Sequence, residues 1–488
     1  MIYLVTNNPE MFDNEYYQVI TVKKSLELLE PLKIVGVDTE TEGFDVYKNK
    51  LLLAQFGCFE FQVVVDCKTV DIRNYKKFLE SKDRLFLFWN AKFDLKFFLH
   101  QRIVIKNVYD GYLAEKLMWL GYPPGYHELN LKAAGINYLG IELDKTVRGK
   151  IFYAGLATDV IVYSAHDVKY LEPIRQKQLE EAAEKDLLKA IDFENKFVVV
   201  LAYIEYCGVK LDVERWKKKM QKDSELLREK ETLLNNWVVR HFPNNPNYTY
   251  VDLQGDLFGP DLYNPTPTFN TEPKCIINWN SAKQVIPLFE ELGFNLNTFD
   301  KATGKSKKSI DAKIIEPQKN VSPIAEIYLE YRAAQKIVST YGENMLKQVN
   351  VDGRIHTQFN QLMDTGRLSC GGKNKNTKEE YINLQNLPAD KETRACFIAE
   401  EGNKWISIDY SGQETYLIAS IANDKAIIEE LTYGSGDIHS LTAKMAYPNI
   451  IGDCPVNEIK NKFKHWRQEA KGIEFAINPM WYNRPQIV

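Results

Sequence analysis

Lys33–Glu40 reads KIVGVDTE, a short run rich in β-branched residues that ends in two acids. This composition predicts a buried strand that stops at Asp38 and Glu40. Because side chains alternate across a strand, acids two positions apart lie on one face and could share a cation. The stretch therefore predicts a strand of a central sheet whose end carries a candidate metal site.

Neighbouring segments extend this strand into an α/β unit that runs to about residue 180. Leu51–Gly57 and Phe61–Asp66 indicate hairpin-related strands, and Phe86–Trp89 indicates a further strand. Helical spacing follows in Ala91–His100 and again in Ala165–Leu179. Strands that lead into helices predict a mixed sheet with helices packed on it.

Three further side chains complete a candidate site on this unit. Asp94, in NAKFD, opens a helix after a strand, and Tyr163 and Asp167, in YSAHD, lie about one helical turn apart. Each acid alone would be an ordinary cap or loop residue. Two-metal hydrolysis of a phosphodiester, however, needs several carboxylate ligands, which suit Mg²⁺ or Mn²⁺. The candidate metal ligands are Asp38, Glu40, Asp94 and Asp167.

The ordered set DTE, NxxxD and YxxxD resembles the DEDD exonuclease superfamily in its tyrosine subtype. The resemblance implies a ribonuclease H-like fold in which the four acids hold two metal ions and Tyr163 orients the attacking water. Leu129–Lys145 further resembles a helical segment of the proofreading domains attached to family A DNA polymerases. A 3′–5′ exonuclease acting on single-stranded 3′ ends is the expected activity.

From residue 181 the chain becomes helical and strongly charged, most clearly in Arg215–Arg240. Such runs are either solvated helix faces or a thumb whose basic side binds the phosphate backbone. Tyr248–Thr271, rich in Pro, Gly, Asn and Asp, predicts a long loop. Helix is expected to resume in Ser281–Gly293 and Ile324–Lys347.

Two patterns in the last hundred residues carry further chemistry. Trp405–Asp409, WISID, predicts a strand that ends in an acid. Arg467, Lys471 and Phe475 are spaced four apart, so a helix would bring them to one face. The spacing alone is also that of any amphipathic helix with surface cations.

Together these segments resemble family A DNA polymerases over roughly residues 180–477. WISID resembles motif A, which implies that Asp409 binds catalytic metal, and RxxxKxxxF resembles motif B. The variant SGQE after WISID is more similar to phage members than to cellular ones. The implied deoxynucleoside triphosphate contacts are Glu414 as steric gate, His439 in DIH, Arg467, Lys471 and Phe475. The implied primer–template DNA contacts are Arg367 in DTGRLS, with Asn383 and Gln385 in YINLQNLP.

The fold class that follows is α/β and α+β multidomain, with a ribonuclease H-like exonuclease domain before a helical thumb and the incomplete palm and fingers of a right-hand polymerase. We expect the exonuclease domain over residues 1–180 and the thumb over 181–345, with a loop insertion near 245–275. The partial palm is expected over 346–423 and the partial fingers over 424–488.

From residue 478 the sequence reads NPMWYNRPQIV, where the resemblance implies the rest of motif B and, later, motif C with a second palm aspartate. We interpret the chain as truncated within motif B, through a split gene, an intron or a fragment. With Asp409 as its only palm acid, we expect these residues to edit but not to extend primers. A separate C-terminal chain that carries motif C is then a candidate partner.

The predicted function is a DNA-directed DNA polymerase with a 3′–5′ proofreading exonuclease in DNA replication. Two alternatives stay open: a free-standing 3′–5′ exonuclease whose C-terminal region binds DNA, and a non-catalytic DNA-binding or assembly protein. Magnesium-dependent shortening of single strands separates the last from the other two. Synthesis restored by a separate C-terminal chain separates the first two.

Composition limits the number of domains, the location and the cofactors that we expect for the chain. The 488 residues are 44% hydrophobic and 26% charged, which predicts two or three domains. No apolar run could span a bilayer and no signal peptide is evident, so we expect a cytoplasmic location, in a bacterial host if phage-encoded. A net charge of -4 means that DNA contacts must come from local basic surfaces. Seven cysteines without a CxxC pair argue against zinc and disulfides.

Overall fold

The structure is a computed structural model of the chain. It describes residues 1–123, 125–143, 147, 155–251, 272–299, 305–373, 380–410 and 412–477. The chain divides into two compact units, Met1–Gly402 and Asn403–Val488. Within the described part of the chain, no helix is long and apolar enough to cross a membrane.

The first unit begins with a seven-stranded mixed sheet. Its strands are β1 (Ile2–Val5), β2 (Gln18–Val19), β3 (Ile34–Thr41), β4 (Leu51–Gly57), β5 (Gln62–Asp66), β6 (Leu85–Phe88) and β7 (Val108–Asp110). Their order is β2-β1-β5-β4-β3-β6-β7, with β3 antiparallel to β4 and parallel to β6. The strands predicted from sequence are β3 to β6, and β4 and β5 are buried along their whole length, as expected for strands covered on both faces.

Eight α-helices accompany the sheet among the described residues up to Cys207. They are α1 (Val22–Leu29), α2 (Lys76–Leu79), α3 (Ala91–His100), α4 (Gly111–Met118), α5 (Leu131–Leu139), α6 (Thr158–Lys169), α7 (Leu171–Glu184) and α8 (Leu188–Cys207). The helix predicted over Ala165–Leu179 is confirmed except at Tyr170, where α6 ends and α7 begins. Pro173 explains the break, since proline is tolerated in a first helical turn but lacks the N–H that a helix interior needs.

A close approach places α6 against β3. A Cβ on Gly36 would lie 2.6 Å from the carbonyl oxygen of Val168, so no other residue fits here without a shift. α8 also packs on the sheet domain, where Val198 and Ala202 are buried in the same core as β3 and α3. The core of the sheet domain therefore extends past residue 180 into α8.

A second core follows in the same unit. Its elements are β8 (Val209–Lys210), α9 (Val213–His241), β9 (Thr249–Val251), β10 (Pro273–Cys275), α10 (Ala282–Glu291), β11 (Asn297–Phe299), β12 (Ser306–Lys308), α11 (Ala312–Ile315) and α12 (Ile324–Lys347). Trp279, Phe289 and Tyr328 are fully buried at its centre. The predicted helices are confirmed. The start of the predicted loop is instead a strand, β9, which pairs with β10. The rest of that loop, residues 252–271, lies outside the described residues.

The remainder of the first unit consists of short paired strands. They are β13 (Arg354–Ile355), β14 (Phe359–Asn360), β15 (Ser369–Cys370), β16 (Gly372–Lys373) and β17 (Glu380–Tyr381), followed by α13 (Lys391–Ala395). β13 pairs with β8, and Leu362 is buried in the core of the sheet domain. This segment therefore packs against the sheet domain although it lies far from it in sequence.

The second unit is helical in its described residues. Its helices are α14 (Gln413–Ala422), α15 (Lys425–Tyr433), α16 (Ile438–Ala446), α17 (Pro448–Ile451), α18 (Val456–Lys462) and α19 (Lys464–Ile477). The strand predicted over Trp405–Asp409 is wrong, because no described residue pairs with this segment. A strand requires a ladder partner, and here Ile406 and Ile408 are 78% and 87% exposed instead.

Candidate active site

Three predicted carboxylates converge at the end of β3. Oxygens of Asp38, Glu40 and Asp167 lie within 4.8 Å of one another. β3 supplies the first two, and α6, drawn close at Gly36, supplies Asp167. Carboxylates at this separation repel unless a cation lies between them, so the cluster suits a divalent metal ion.

Asp94 lines the same cleft but is not one of the clustered three. It lies in the first turn of α3 and is 3% exposed. Its carboxylate accepts a hydrogen bond of 2.5 Å from the Thr39 hydroxyl, between the two acids of β3. Burial raises the pKa of Asp94 to about 7. A cation in the cleft would favour its ionised form.

Tyr163 lies one helical turn before Asp167 and is largely buried. Burial raises the pKa of its hydroxyl, and the negative charges of Asp167, Glu40 and Asp38 add to the rise. The hydroxyl also forms a hydrogen bond with Asp167. Tyr163 therefore stays a neutral hydrogen-bond donor at physiological pH, suited to orienting an oxygen atom and unsuited to acting as a base.

Asp110 is a further acid of the cleft that the sequence patterns described above do not single out. Its carboxylate accepts hydrogen bonds from the backbone N–H groups of Asn90 (2.8 Å), Ala91 (2.9 Å) and Tyr112 (3.0 Å). It thereby fixes the left-handed turn at Asn90, φ 71°, from which α3 and Asp94 start. The signal for Asp110 was available, since VYD is another apolar run that ends in an acid before a helix.

A cleft of about 1110 Å³ extends over these acids. The rings of Phe44 and Phe93 meet edge to face at 6.0 Å on its lining. Residues 128–132 and 358–361 complete the lining, and the latter come from the C-terminal part of the first unit. The cleft thus combines a metal-binding cluster with aromatic surface, which suits a single strand with stacked bases.

A buried ion-pair network fixes the 358–361 segment to α3. The Glu205 side chain, 1% exposed, accepts from the ammonium groups of Lys92 at 2.6 Å and Lys96 at 2.8 Å. It also accepts from the backbone N–H of Phe359 at 2.6 Å, and Lys92 donates to the Phe359 carbonyl. The helix that carries Asp94 and this part of the lining are therefore held together, and loss of Glu205 would leave two cations poorly compensated.

The predicted DNA contacts of the first unit lie outside this cleft. Arg367 and Gln385 are exposed, as a DNA contact requires. Asn383 accepts hydrogen bonds from the backbone N–H groups of Gln385 (2.9 Å) and Asn386 (3.2 Å), so its side chain caps a short turn. Asn383, one of the three predicted DNA contacts, therefore already has a local structural role.

The predicted nucleotide-binding residues lie in the second unit. Asp409 and Glu414 are exposed, and Asp409 belongs to no acid cluster among the described residues. His439 lies on α16 and is half-buried, as is Lys471 on α19; the Phe475 side chain lies outside the described residues.

Arg467, on α19, is engaged by a carboxylate. It forms a two-pronged ion pair with Asp437 at 2.8 and 3.0 Å and donates to the Ser440 hydroxyl at 3.1 Å. The pairing lowers the pKa of Asp437, although burial opposes it. A triphosphate would have to compete with Asp437 for this guanidinium.

Comparison with known families assigns both parts of the chain. Residues 17–182 match the 3′-5′ exonuclease family, in agreement with the acid cluster on a mixed sheet. Residues 268–478 match DNA polymerase family A. The chain belongs to the family A DNA polymerases that carry a 3′–5′ exonuclease domain. The predicted family and fold class are confirmed.

Relatives in both phage and bacteria are similar to the chain. The DNA polymerase of Escherichia phage T5 is 26% identical over 478 residues, which is 91% of this chain and 51% of the relative. DNA polymerase I of Aquifex aeolicus is 25% identical over 93% of this chain and 70% of its own length. The chain therefore spans about half the length of the phage relative.

Among solved structures, the chain is similar to the POL domain of Pol1 from M. smegmatis, determined in complex with DNA primer-template and dNTP. The TM-score is 0.65 at 19% identity, over 93% of this chain and 70% of that one. This likeness shows a shared fold. The predicted domain boundaries and the roles of individual site residues stay predictions.

Proposed function

We propose that the chain belongs to a DNA-directed DNA polymerase with proofreading, and that the cleft around Asp38 is its 3′–5′ exonuclease site. One observation carries the proposal: Asp38, Glu40 and Asp167 converge within 4.8 Å beside Tyr163 and the buried Asp94. Four carboxylates and a phenol in one cleft match the donor set that two-metal phosphodiester hydrolysis requires.

The cofactor we propose is Mg²⁺, with Mn²⁺ as the substitute, because the ligands are hard carboxylate oxygens. Asp38, Glu40, Asp94 and Asp167 would hold it. Bound ions would neutralise the charge of the phosphodiester and of the attacking oxygen.

The chain's own side chains would prepare the reaction around that centre. The neutral Tyr163 hydroxyl would donate to the attacking water and orient it toward the terminal phosphodiester. Thr39 and Asp110 would hold Asp94 and its helix in place. Phe44 and Phe93 would stack against bases near the 3′ end.

For synthesis, we propose that Asp409 holds metal and that Glu414 excludes the ribose 2′-hydroxyl. His439, Arg467, Lys471 and Phe475 would contact the deoxynucleoside triphosphate, with Arg467 exchanging Asp437 for phosphate. Arg367, Asn383 and Gln385 would contact primer–template DNA. The family match over residues 268–478 supports these assignments.

An apolar surface of the second unit supports a further partner. Trp405, Ile406, Ile408 and Tyr410 are 59% to 87% exposed on a segment that is neither helix nor strand and has no ladder partner among the described residues. Exposed apolar side chains beside unpaired backbone suit an added strand. We propose that polypeptide carrying the remaining palm strands, in a separate chain, covers this segment.

The test is a gel assay with a 5′-labelled single strand and a 5′-labelled primer–template, in Mg²⁺ and in chelator, with and without deoxynucleotides. Stepwise shortening from the 3′ end that needs metal is the expected result. A variant with Asp38→Ala and Glu40→Ala should lose it by about a thousandfold or more, because metal binding contributes several kcal/mol. The matched control is Asp83→Ala, an exposed acid outside the cleft.

The outcomes separate the candidate functions. Shortening that survives the double substitution would contradict the proposed site, and no shortening in the unsubstituted chain would favour a non-catalytic DNA-binding protein. Shortening without extension, even after a motif C chain is added, would favour a free-standing exonuclease. Extension after that addition would support the polymerase assignment.

A further inference from the structure

Lys116 is a cation of the cleft that forms no ion pair with a carboxylate of the described residues. It projects from α4 into the lining, where its ammonium donates to the backbone carbonyl of Gln361 at 2.5 Å. No described carboxylate forms an ion pair with it, whereas Lys92 and Lys96 share Glu205. Burial lowers the pKa of Lys116 and the charge of Lys92 adds to the effect, whereas the charges of Asp364 and Glu194 partly oppose it. A partly buried ammonium that forms no close ion pair is stabilised further when an anion binds.

Gln361 presents an unused acceptor at the same place. Its side chain is 5% exposed and lines the cleft. The Nε2 amide group is held by Glu194, through the backbone carbonyl at 3.0 Å and through the carboxylate. Because two acceptors fix Nε2, the orientation of the amide is set. Its Oε1 atom is buried and accepts no hydrogen bond from any described residue, so it calls for a donor.

We propose that Lys116 and Gln361 form a nucleotide-binding subsite in the lining of the exonuclease cleft. Lys116 binds a phosphodiester oxygen of the single strand, and Gln361 Oε1 accepts a hydrogen bond from an N–H group of a base. Every nucleobase offers such an N–H, so we expect the subsite to bind single strands without base specificity. The inference rests on the proposed exonuclease function and adds residues that bind its substrate.

The subsite joins the two family segments of the chain. Lys116 lies within residues 17–182, which match the exonuclease family, and Gln361 lies within residues 268–478, which match the polymerase family. The two are 245 positions apart in sequence yet share a hydrogen bond. Binding of the single strand for editing therefore uses side chains from both segments.

The experiment compares Lys116→Met, Lys116→Arg and Lys77→Met in the full chain. Lys77 is an exposed lysine outside the cleft and serves as the matched control. Hydrolysis of a 5′-labelled oligothymidylate is measured in Mg²⁺, and binding of the same fluorescent strand is measured by anisotropy in chelator over a range of KCl. The hydrolysis assay gives kcat and KM separately, and the anisotropy measurement gives affinity independently of catalysis.

We expect Lys116→Met to raise KM about tenfold or more with kcat little changed, because a charge-assisted hydrogen bond is lost. The slope of log affinity against log salt should fall by about 0.7, the value for one phosphate contact on a single strand. Lys116→Arg should keep most of the affinity and the slope, and Lys77→Met should leave both unchanged.

A substrate change tests the same contact without altering the protein. Replacing single phosphates by neutral methylphosphonates should weaken binding to the unsubstituted chain at one linkage most strongly. Lys116→Met should be insensitive at that linkage. This arm stays decisive even where Lys116→Met does not fold, because equal losses at every linkage in the unsubstituted chain would overturn the proposal.

Two other results would also overturn it. Unchanged KM and salt slope in Lys116→Met would show that Lys116 binds no phosphate. A loss confined to kcat would show that it only positions the carboxylates. If the unsubstituted chain neither binds nor shortens the strand, the exonuclease function itself fails, which is a different outcome.

Discussion

Two segments of the molecule share one sequence pattern, but only one of them forms a buried strand. KIVGVD and WISID are both short β-branched runs that end in an aspartate. In the first, β3 pairs with β4 and β6, and Val35 and Val37 are fully buried. In the second, Ile408 is 87% exposed and no described residue pairs with the segment.

The difference shows what a strand-end acid needs before it can form a site. Asp38 meets Glu40 and Asp167 because paired neighbours and α6 surround β3. Asp409 lies on a segment that lacks these neighbours among the described residues, and it remains exposed. The local pattern specifies an extended backbone and the direction of the acid, whereas convergence of ligands depends on the elements packed around it.

The packing at Gly36 gives the largest expected effect. Gly36→Ala places a Cβ 2.6 Å from the Val168 carbonyl, so α6 must move away from β3. We expect unfolding free energy to fall by about 1–3 kcal/mol. Displacement of Asp167 and Tyr163 by as little as about 1 Å should cost roughly a hundredfold in exonuclease rate.

Gly472→Ala is the matched substitution in the second unit. Gly472 lies within α19, and a Cβ there meets nothing within 4 Å. Exonuclease rate should therefore be unchanged, and stability should rise by up to about 1 kcal/mol, because alanine is favoured over glycine inside a helix. If Gly36→Ala behaves in the same way, close approach of α6 is not what assembles the carboxylates.

The second test concerns the charge of the buried Asp110. Burial raises its pKa in the folded state to about 6, above the value of about 4 that is usual for an aspartate in an unfolded chain. Its contribution to stability is therefore fully present below about pH 4 and is lost as pH rises through about 6. With one pKa unit equal to about 1.4 kcal/mol, the loss is about 3 kcal/mol.

Asp110→Asn should reduce this fall in unfolding free energy, measured by denaturation in chelator between about pH 4 and pH 7. Some fall should remain, because burial also raises the pKa of Asp94, to about 7. Stability of the unsubstituted chain that rises over this range would show that the N–H groups of Asn90, Ala91 and Tyr112 outweigh burial and keep Asp110 ionised.

Tyr163→Phe is the third test and isolates one hydroxyl. The ring stays buried on α6, so stability should change little. Loss of the donor that orients the attacking oxygen should lower kcat about tenfold, with KM for a single strand unchanged. An unchanged kcat would assign the hydroxyl to the hydrogen bond with Asp167 alone.

Much of the cleft follows from local sequence patterns. Alternation in KIVGVDTE predicts β3 and the common face of its acids, and helical spacing predicts α3 and the pairing of Tyr163 with Asp167. Even the break at Tyr170 had a local signal in Pro173. These features depend on residues only a few positions apart, where backbone geometry alone relates the side chains.

The rest of the cleft depends on distant contacts that no local pattern encodes. Lys116 meets Gln361 across 245 positions, and Glu205 meets Phe359 across 154. Each partner alone reads as an ordinary polar or apolar residue. Their relation is fixed only when the C-terminal segment of the first unit packs on the sheet domain, so single-sequence reasoning places neither pair.

The smallest expected effect tests the exposed segment of the second unit. Ile408→Ser should change unfolding free energy by less than about 0.5 kcal/mol, because a side chain that is 87% exposed buries little on folding. Val37→Ser, the equivalent change in β3, should cost about 2 kcal/mol or more. A loss above about 1 kcal/mol in Ile408→Ser would mean that the segment is paired in solution. If the proposed partner chain adds a strand to this segment, the same substitution should weaken that complex, since the added strand would bury Ile408.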